Sequence, residues 1–420
     1  MRQAEVDKAR SLVQDLLSSN LKQGIDGNSL VKYSYLCGSP KGSPWQNYSF
    51  SCFQAIAMAR IEPEQSKNEL LSLLAGQDED GFIGQLHYWG IRAYGFRHIL
   101  SYVRAAPGRR LRRSSLIHPP LLAQSIAKVA TLAEDPAFIL TLLPSLDSYH
   151  QWLATNRADQ SDGLLVIVSP HESGMPSLPG LDRRQGNAGR PSKFRGAIRN
   201  SWIDTNNWMR SYDSSKMLKA GTFWLKDATM NACYADSLST MSSLHRSVGN
   251  TEVAAAYQVR AETITTVMLK KMLDLSRGAF FNLYGEEERR SGPLTIGGLI
   301  PLLMQGLPQA VAATIVEQNI HNPKHFWLKY PLPSVSASET SFNPRDSQNI
   351  WRGPTSVTSN WLGWLGVIRH GYTDIAEQLA SRTLNMVTEH GMREAYNPLS
   401  GTGLGSESFA PAAIVLDMAS

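Results

Sequence analysis

The 420-residue chain predicts an all-α protein, a toroid of helical hairpins, and three observations carry that prediction. Apolar residues recur at helical spacing over long segments, runs of alternating strand pattern are absent, and the connections are loops rich in Gly, Pro, Trp and His. The opening stretch MRQAEVDKARSLVQDLLSSN reads as an amphipathic helix, too charged for a signal peptide. PEQSKNELLSLLAGQ, 63–77, starts with Pro63 in the first turn, sets Leu70, Leu71, Leu73 and Leu74 on one apolar face, and stops at Gly76. LLVIV, 164–168, is the one convincing β-like run. Residues 236–273 hold two helical patterns divided by Ser247, Val248, Gly249 and Asn250, which is a helical hairpin. A further helix follows GYTD, 371–374, with Ile375, Leu379 and Met386 along one side. Without a linker or a low-complexity tract, a single domain over 1–420 is expected, with a loop or lid over 176–200 across the mouth.

Composition narrows the function. With 42% hydrophobic and 18% charged residues, the chain has the make-up of a globular protein with a large core. The net charge is only +5, and the one dense basic cluster, Arg104 to Arg113, lacks aromatic interleaving, so it reads as a solvated face and no nucleic-acid partner is expected. Cys37, Cys52 and Cys233 are odd in number and widely spaced, which favours reduced thiols and a cytoplasmic setting over a disulfide framework or zinc. No run of 18 apolar residues occurs, so no membrane span is expected. Phosphate-cradling, nucleophile-elbow and HExxH patterns are missing, leaving a small-molecule substrate with no cofactor and no metal; association with a second copy stays open.

In a toroid of hairpins the loops of the inner helices open at one end, so chemistry collects there. The richest such loops are 44–53, 81–91, 169–182, 199–213, 325–361 and 392–409. Several of their blocks, taken in order, resemble glycoside hydrolase family 63, in particular its small mannosylglycerate and glucosylglycerate hydrolases. They are SCFQAIAMARIEPEQ, HESGM, FWLKDATMN, LTIGGLIPLL, FWLKYPLPSV, WRGP with Asn360 and Trp361, and EAYNPLSGTGLG. The resemblance runs from about Ser43 to the C-terminus and implies a ring of six hairpins and cleavage of an α-glycoside with inversion, one carboxylic acid protonating the leaving oxygen and one carboxylate activating water.

It also implies roles. REAYNPLSG matches the segment around the family's base and puts Glu394 in that role, a structural Glu being the alternative. The family's acid follows the Met of its ESGMD motif, where this chain has Pro176, and proline has no proton to give. Phe50 replaces a carboxylate that grips sugar hydroxyls, and Ser356 replaces an aromatic platform. Glu172 and Asp182 are stand-in acids or supports, a residue of 199–213 is a further candidate for the acid, and His171 takes a position where the family has Trp and can exchange protons near neutrality. His87, Trp89, Trp351, Arg352, Asn360 and Tyr396 complete the expected lining, and Asp227 with Asn231 are either pocket residues or packing polar groups. With three sugar-holding positions changed, the leading expectation is a non-hydrolytic acid/base cyclase, isomerase or lyase of secondary metabolism acting on a less polar substrate. The alternatives are an inverting hydrolase of a small glycoside such as glucosylglycerate or mannosylglycerate, and a non-catalytic binding protein.

Overall fold

The computed structural model describes residues 3–27, 29–90, 113–182, 193–285, 287–290 and 292–419, with the side chains of 193–198 left aside. Its helices are α1 (Gln3–Asn20), α2 (Tyr48–Met58), α3 (Pro63–Leu74), α4 (Leu122–Leu132), α5 (Pro136–Asn156), α6 (Lys193–Met209), α7 (Ser214–Ala220), α8 (Ala228–Ser247), α9 (Thr251–Lys271), α10 (Gln309–Ile315), α11 (Val357–Arg369), α12 (Thr373–His390) and α13 (Val415–Met418).

These close into an α/α toroid. The inner ring runs from α2 to α4, α8, the 3₁₀ turn Ile300–Leu303, α11 and the C-terminal run from Ala410 to Met418, each packed on the next and the last packed back on α2. Outside stand α3, α5, α9, α10, α12 and α1, so the first helix completes the hairpin begun by the last. Burial follows position. Inner helix α2 buries every residue except Phe50, whereas outer α9 buries Ala254, Tyr257, Ala261, Ile264, Thr265 and Met268 on one stripe and exposes Val253 and Val259. One hydrophobic cluster extends from Ala9 to Met418.

Local signals fix the ends. Asn47, Asp135, Asp213, Asp227 and Ser356 cap the N-termini of α2, α5, α7, α8 and α11 with their side chains. Asp227 and Asn231 are therefore structural: Asp227 accepts from the Met230 N–H at 2.8 Å, and Asn231 pairs with both backbone groups of Leu165 at 2.7 and 3.0 Å. The β-like run 164–168 makes only isolated bridges, Leu165 with Ala158 and Ile167 with Leu225. The longer antiparallel pairs lie instead at Leu21–Ile25 with Lys32–Leu36 and at Arg393–Tyr396 with Gly403–Glu407. Within the expected lid, residues 179–181 form a 3₁₀ turn and residues from 193 onward are the start of α6; residues 183–192 lie outside the described set. The basic cluster lies outside it too, except Arg113, which pairs with Asp78. Among the described residues no helix is long and apolar enough to cross a membrane.

Candidate active site

A cavity of about 230 Å³ opens at the mouth of the ring. His171, the stretch from Ser173 to Pro176, and Glu394 with Phe409 line it together, so the two motif-bearing segments share one cavity.

Glu394 sits on the strand Arg393–Tyr396, whose register against Gly403–Glu407 shifts between Arg393 and Ala395. That bulge re-aims the side chain between its neighbours. One carboxylate oxygen accepts the Ser406 N–H at 2.9 Å. Gly405 has φ +68°, and a Cβ there would stand 2.8 Å from the same oxygen, so glycine is needed both for the backbone and for the carboxylate's space. The strand is anchored by paired backbone bonds between Tyr396 and Thr355 at 2.8 and 2.9 Å.

A second part of the lining follows from the 3₁₀ turn Pro170–Ser173, which ends at Gly174 with φ +74°. Pro176 occupies the first corner of a turn closed by Leu178 N–H to Met175 O at 3.0 Å, a place where proline's fixed φ fits. His171 lines the cavity, and Glu172, its neighbour in sequence, does not. Glu172 is fully buried. It binds Arg157 through both oxygens at 2.5 and 3.0 Å and accepts the N–H groups of Ile117 and Val168 at 3.0 and 2.8 Å. With its acceptor capacity spent on these partners, it is a structural carboxylate and no proton donor.

Of the other expected site residues, Phe50 and Trp351 line the cavity. Phe50 meets Phe409 edge-on at 5.1 Å and needs Gly38, where a Cβ would fall 2.7 Å from its ring. The rest sit elsewhere. His87 is buried against the Gly84 carbonyl at 3.1 Å, and burial pulls its pKa down to about 4. Trp89 donates to Gln46 at 2.7 Å and stacks on Tyr33. Asp182 and Arg352 are ion-paired to each other. Asn360 hydrogen-bonds Thr383 and Thr355 at 2.9 and 3.1 Å beneath α11, and the Tyr396 hydroxyl donates to the Gly391 carbonyl at 2.7 Å. Each is paired with another protein group where a ligand contact was expected.

Sequence reasoning missed Ser49, Gln85 and His118, which line the cavity together with Thr229, Thr358 and Ser359. Ser49 and Gln85 fall in loops marked as rich, but His118 comes from the unremarked IHPP stretch. Behind His171 lies Asp204 of α6. The Ser169 hydroxyl, which caps the 3₁₀ turn and accepts the His171 N–H, donates to Asp204 at 3.2 Å. Burial raises the Asp204 carboxyl above its usual range, His171 and Ser169 oppose the shift, and the charge of Glu172 adds to it.

Residues 43–410 match the mannosylglycerate hydrolase MGH1-like glycoside hydrolase domain. The chain belongs to that family. It is 25% identical over 452 residues to the mannosylglycerate hydrolase of Rubrobacter radiotolerans, covering 99% of both chains. It is 24% identical over 412 residues to the glucosylglycerate hydrolase of Mycolicibacterium hassiacum, covering 87% of this chain and 90% of the relative. The mannosylglycerate hydrolase of Thermus thermophilus, solved with Tris and D-glycerate, has the same fold, with a TM-score of 0.82 and 23% identity over 98% of this chain and 99% of that one. Membership of a glycoside hydrolase family overturns the leading expectation of a non-hydrolytic cyclase, isomerase or lyase. In the sequence the changes at Phe50, Pro176 and Ser356 read as loss of the chemistry, whereas Pro176 suits the turn it occupies and Ser356 caps α11.

Proposed function

We propose that this protein is an inverting α-glycoside hydrolase acting on a small glycoside of the mannosylglycerate or glucosylglycerate kind. The observation that carries the reading is Glu394: a carboxylate held by one backbone N–H and lining the same cavity as a loop of matching family sequence. In this reading Glu394 draws the proton from a water that attacks the anomeric carbon, while a donor on the other side protonates the leaving oxygen. Pro176 cannot supply that proton, Glu172 is spent on Arg157, and Asp182 is tied to Arg352. We assign the donor's part to His171, which lines the cavity, with Asp204 behind it. The charge of His171 opposes the burial that raises the Asp204 carboxyl, so the two groups are electrostatically paired at this part of the cavity. The three buried free thiols support action in a reducing compartment.

The test is turnover of α-mannosylglycerate and α-glucosylglycerate by the full chain, followed by proton NMR to read the anomer first released. The β-anomer as first product is expected, with turnover falling on the order of 100-fold in His171→Ala and Asp204→Asn. No hydrolysis of either glycoside, or of simple α-glucosides and α-mannosides, refutes the activity. Unchanged turnover in both variants refutes the donor assignment alone.

A further inference from the structure

Three cavity-lining side chains outside the acid/base pair form a relay whose hydrogen positions can be deduced. Ser49 Oγ stands 2.8 Å from Nδ1 of His118, and Nε2 of His118 stands 2.7 Å from the side-chain nitrogen of Gln85. The same Gln85 nitrogen reaches the backbone carbonyl of His171 at 3.3 Å. A carbonyl oxygen can only accept, so the Gln85 amide must turn its NH₂ toward both partners. An amide NH₂ can only donate, so Nε2 of His118 must be the unprotonated nitrogen. His118 is buried, which pulls its pKa down to about 3; the charge of His171 adds to that shift and the His171 backbone carbonyl opposes it. The neutral ring carries one proton, and Nδ1 is the only nitrogen left to hold it. That N–H donates to Ser49 Oγ, and the serine's own hydrogen is released from His118. Among the described residues the Ser49 Oγ hydrogen bond is with His118, and Ser49, Gln85 and His118 all face the cavity.

We propose that Ser49 is a specificity-determining donor, its hydroxyl hydrogen pointed at an acceptor oxygen of the bound substrate, with His118 and Gln85 as the positioning residues that set its polarity. The opposite tautomer would reverse the site: Ser49 would donate to Nδ1 and offer the cavity only lone pairs. The relay thus selects an oxygen that accepts, such as a sugar hydroxyl or ring oxygen. That the ligand is a sugar rests on the glycoside hydrolase reading above, whereas the tautomer does not.

Two measurements on the full chain test this. The first is NMR of protein labelled with ¹⁵N-histidine, His118 being assigned by its loss in His118→Gln. The expected spectrum has a neutral ring protonated on Nδ1 that does not titrate between pH 8 and about 5. A proton on Nε2, or an imidazolium forming near pH 6, overturns the proposal. The second is titration calorimetry with methyl α-D-mannopyranoside, methyl α-D-glucopyranoside and their monodeoxy analogues. Ser49→Ala is expected to weaken binding roughly 2- to 12-fold, the range of one neutral hydrogen bond. One monodeoxy analogue should lose the same factor in the native protein and nothing further in Ser49→Ala. Sugars that bind both proteins equally overturn the donor role. If none of these methyl glycosides binds the native protein, turnover of the glycerate glycosides decides the hydrolase reading, and the tautomer alone decides the relay.

Discussion

Replacing Glu172 by glutamine separates a structural carboxylate from a catalytic one. In the native fold its two oxygens take two hydrogen bonds from Arg157 and one each from the Ile117 and Val168 N–H groups, and both side chains of the pair are essentially sealed from water. Glutamine fills the same volume. It turns one acceptor into an NH₂ facing donors, and it leaves the Arg157 guanidinium buried without a counter-charge. Breaking one side of such a pair costs about 3 to 5 kcal/mol. Unfolding entropy of about 2.1 cal/mol/K per residue gives roughly 0.9 kcal/mol/K for this chain, so the melting temperature should fall by roughly 3 to 6 °C. Scanning calorimetry of the purified variant reads that shift directly. A variant that melts with the native protein and has lost its turnover would refute the argument and return Glu172 to the catalytic pair.

Glu394→Gln keeps an acceptor for the Ser406 N–H, so steady-state assays should show kcat down by roughly 100-fold or more while the melting temperature stays near native. Pro176→Asp puts a carboxyl at a turn corner that accepts most residues, and a rise in glycoside turnover with the cavity otherwise unchanged is expected; an inactive but folded variant would show that this corner does not address the leaving oxygen. Glu69 is fully buried against Ser51 and the Leu36 N–H, and burial raises its pKa from 4.5 to about 8. The native state therefore holds a proton that the unfolded chain has released. The stabilisation is fully present below about pH 4.5 and gone once the pH passes about 8, so melting temperature should decline across that window and decline less in Glu69→Gln.

The helices were legible because their information is local. Pro63, the Ser247–Asn250 break and the apolar stripes of α9 and α12 are read within a few residues, and the structure ends its helices at Leu74, Ser247, Lys271 and His390. Two of the cavity's chemical groups were legible as well, Glu394 and His171, since each sits in a loop whose neighbours mark it. Illegible were the partners. Whether a polar side chain faces a ligand or another buried group depends on atoms far away in sequence: Arg157 on Glu172, Asp182 on Arg352, Thr383 on Asn360. No local pattern distinguishes a carboxylate aimed into a cavity from one sealed against an arginine.

The sequence by itself determined the all-α hairpin architecture, because helical periodicity and end signals act over single turns, and it determined the absence of a carboxyl at Pro176. Only the tertiary structure decided what remains at the mouth. Closing the ring brings Ser49, Gln85, His118 and His171 from four separate segments to one wall and sets Asp204 behind it. Burial then fixes which of these groups is charged and which hydrogen each can give, since the cost of desolvating a charge and the direction of a hydrogen bond are properties of the assembled site and not of any residue within it.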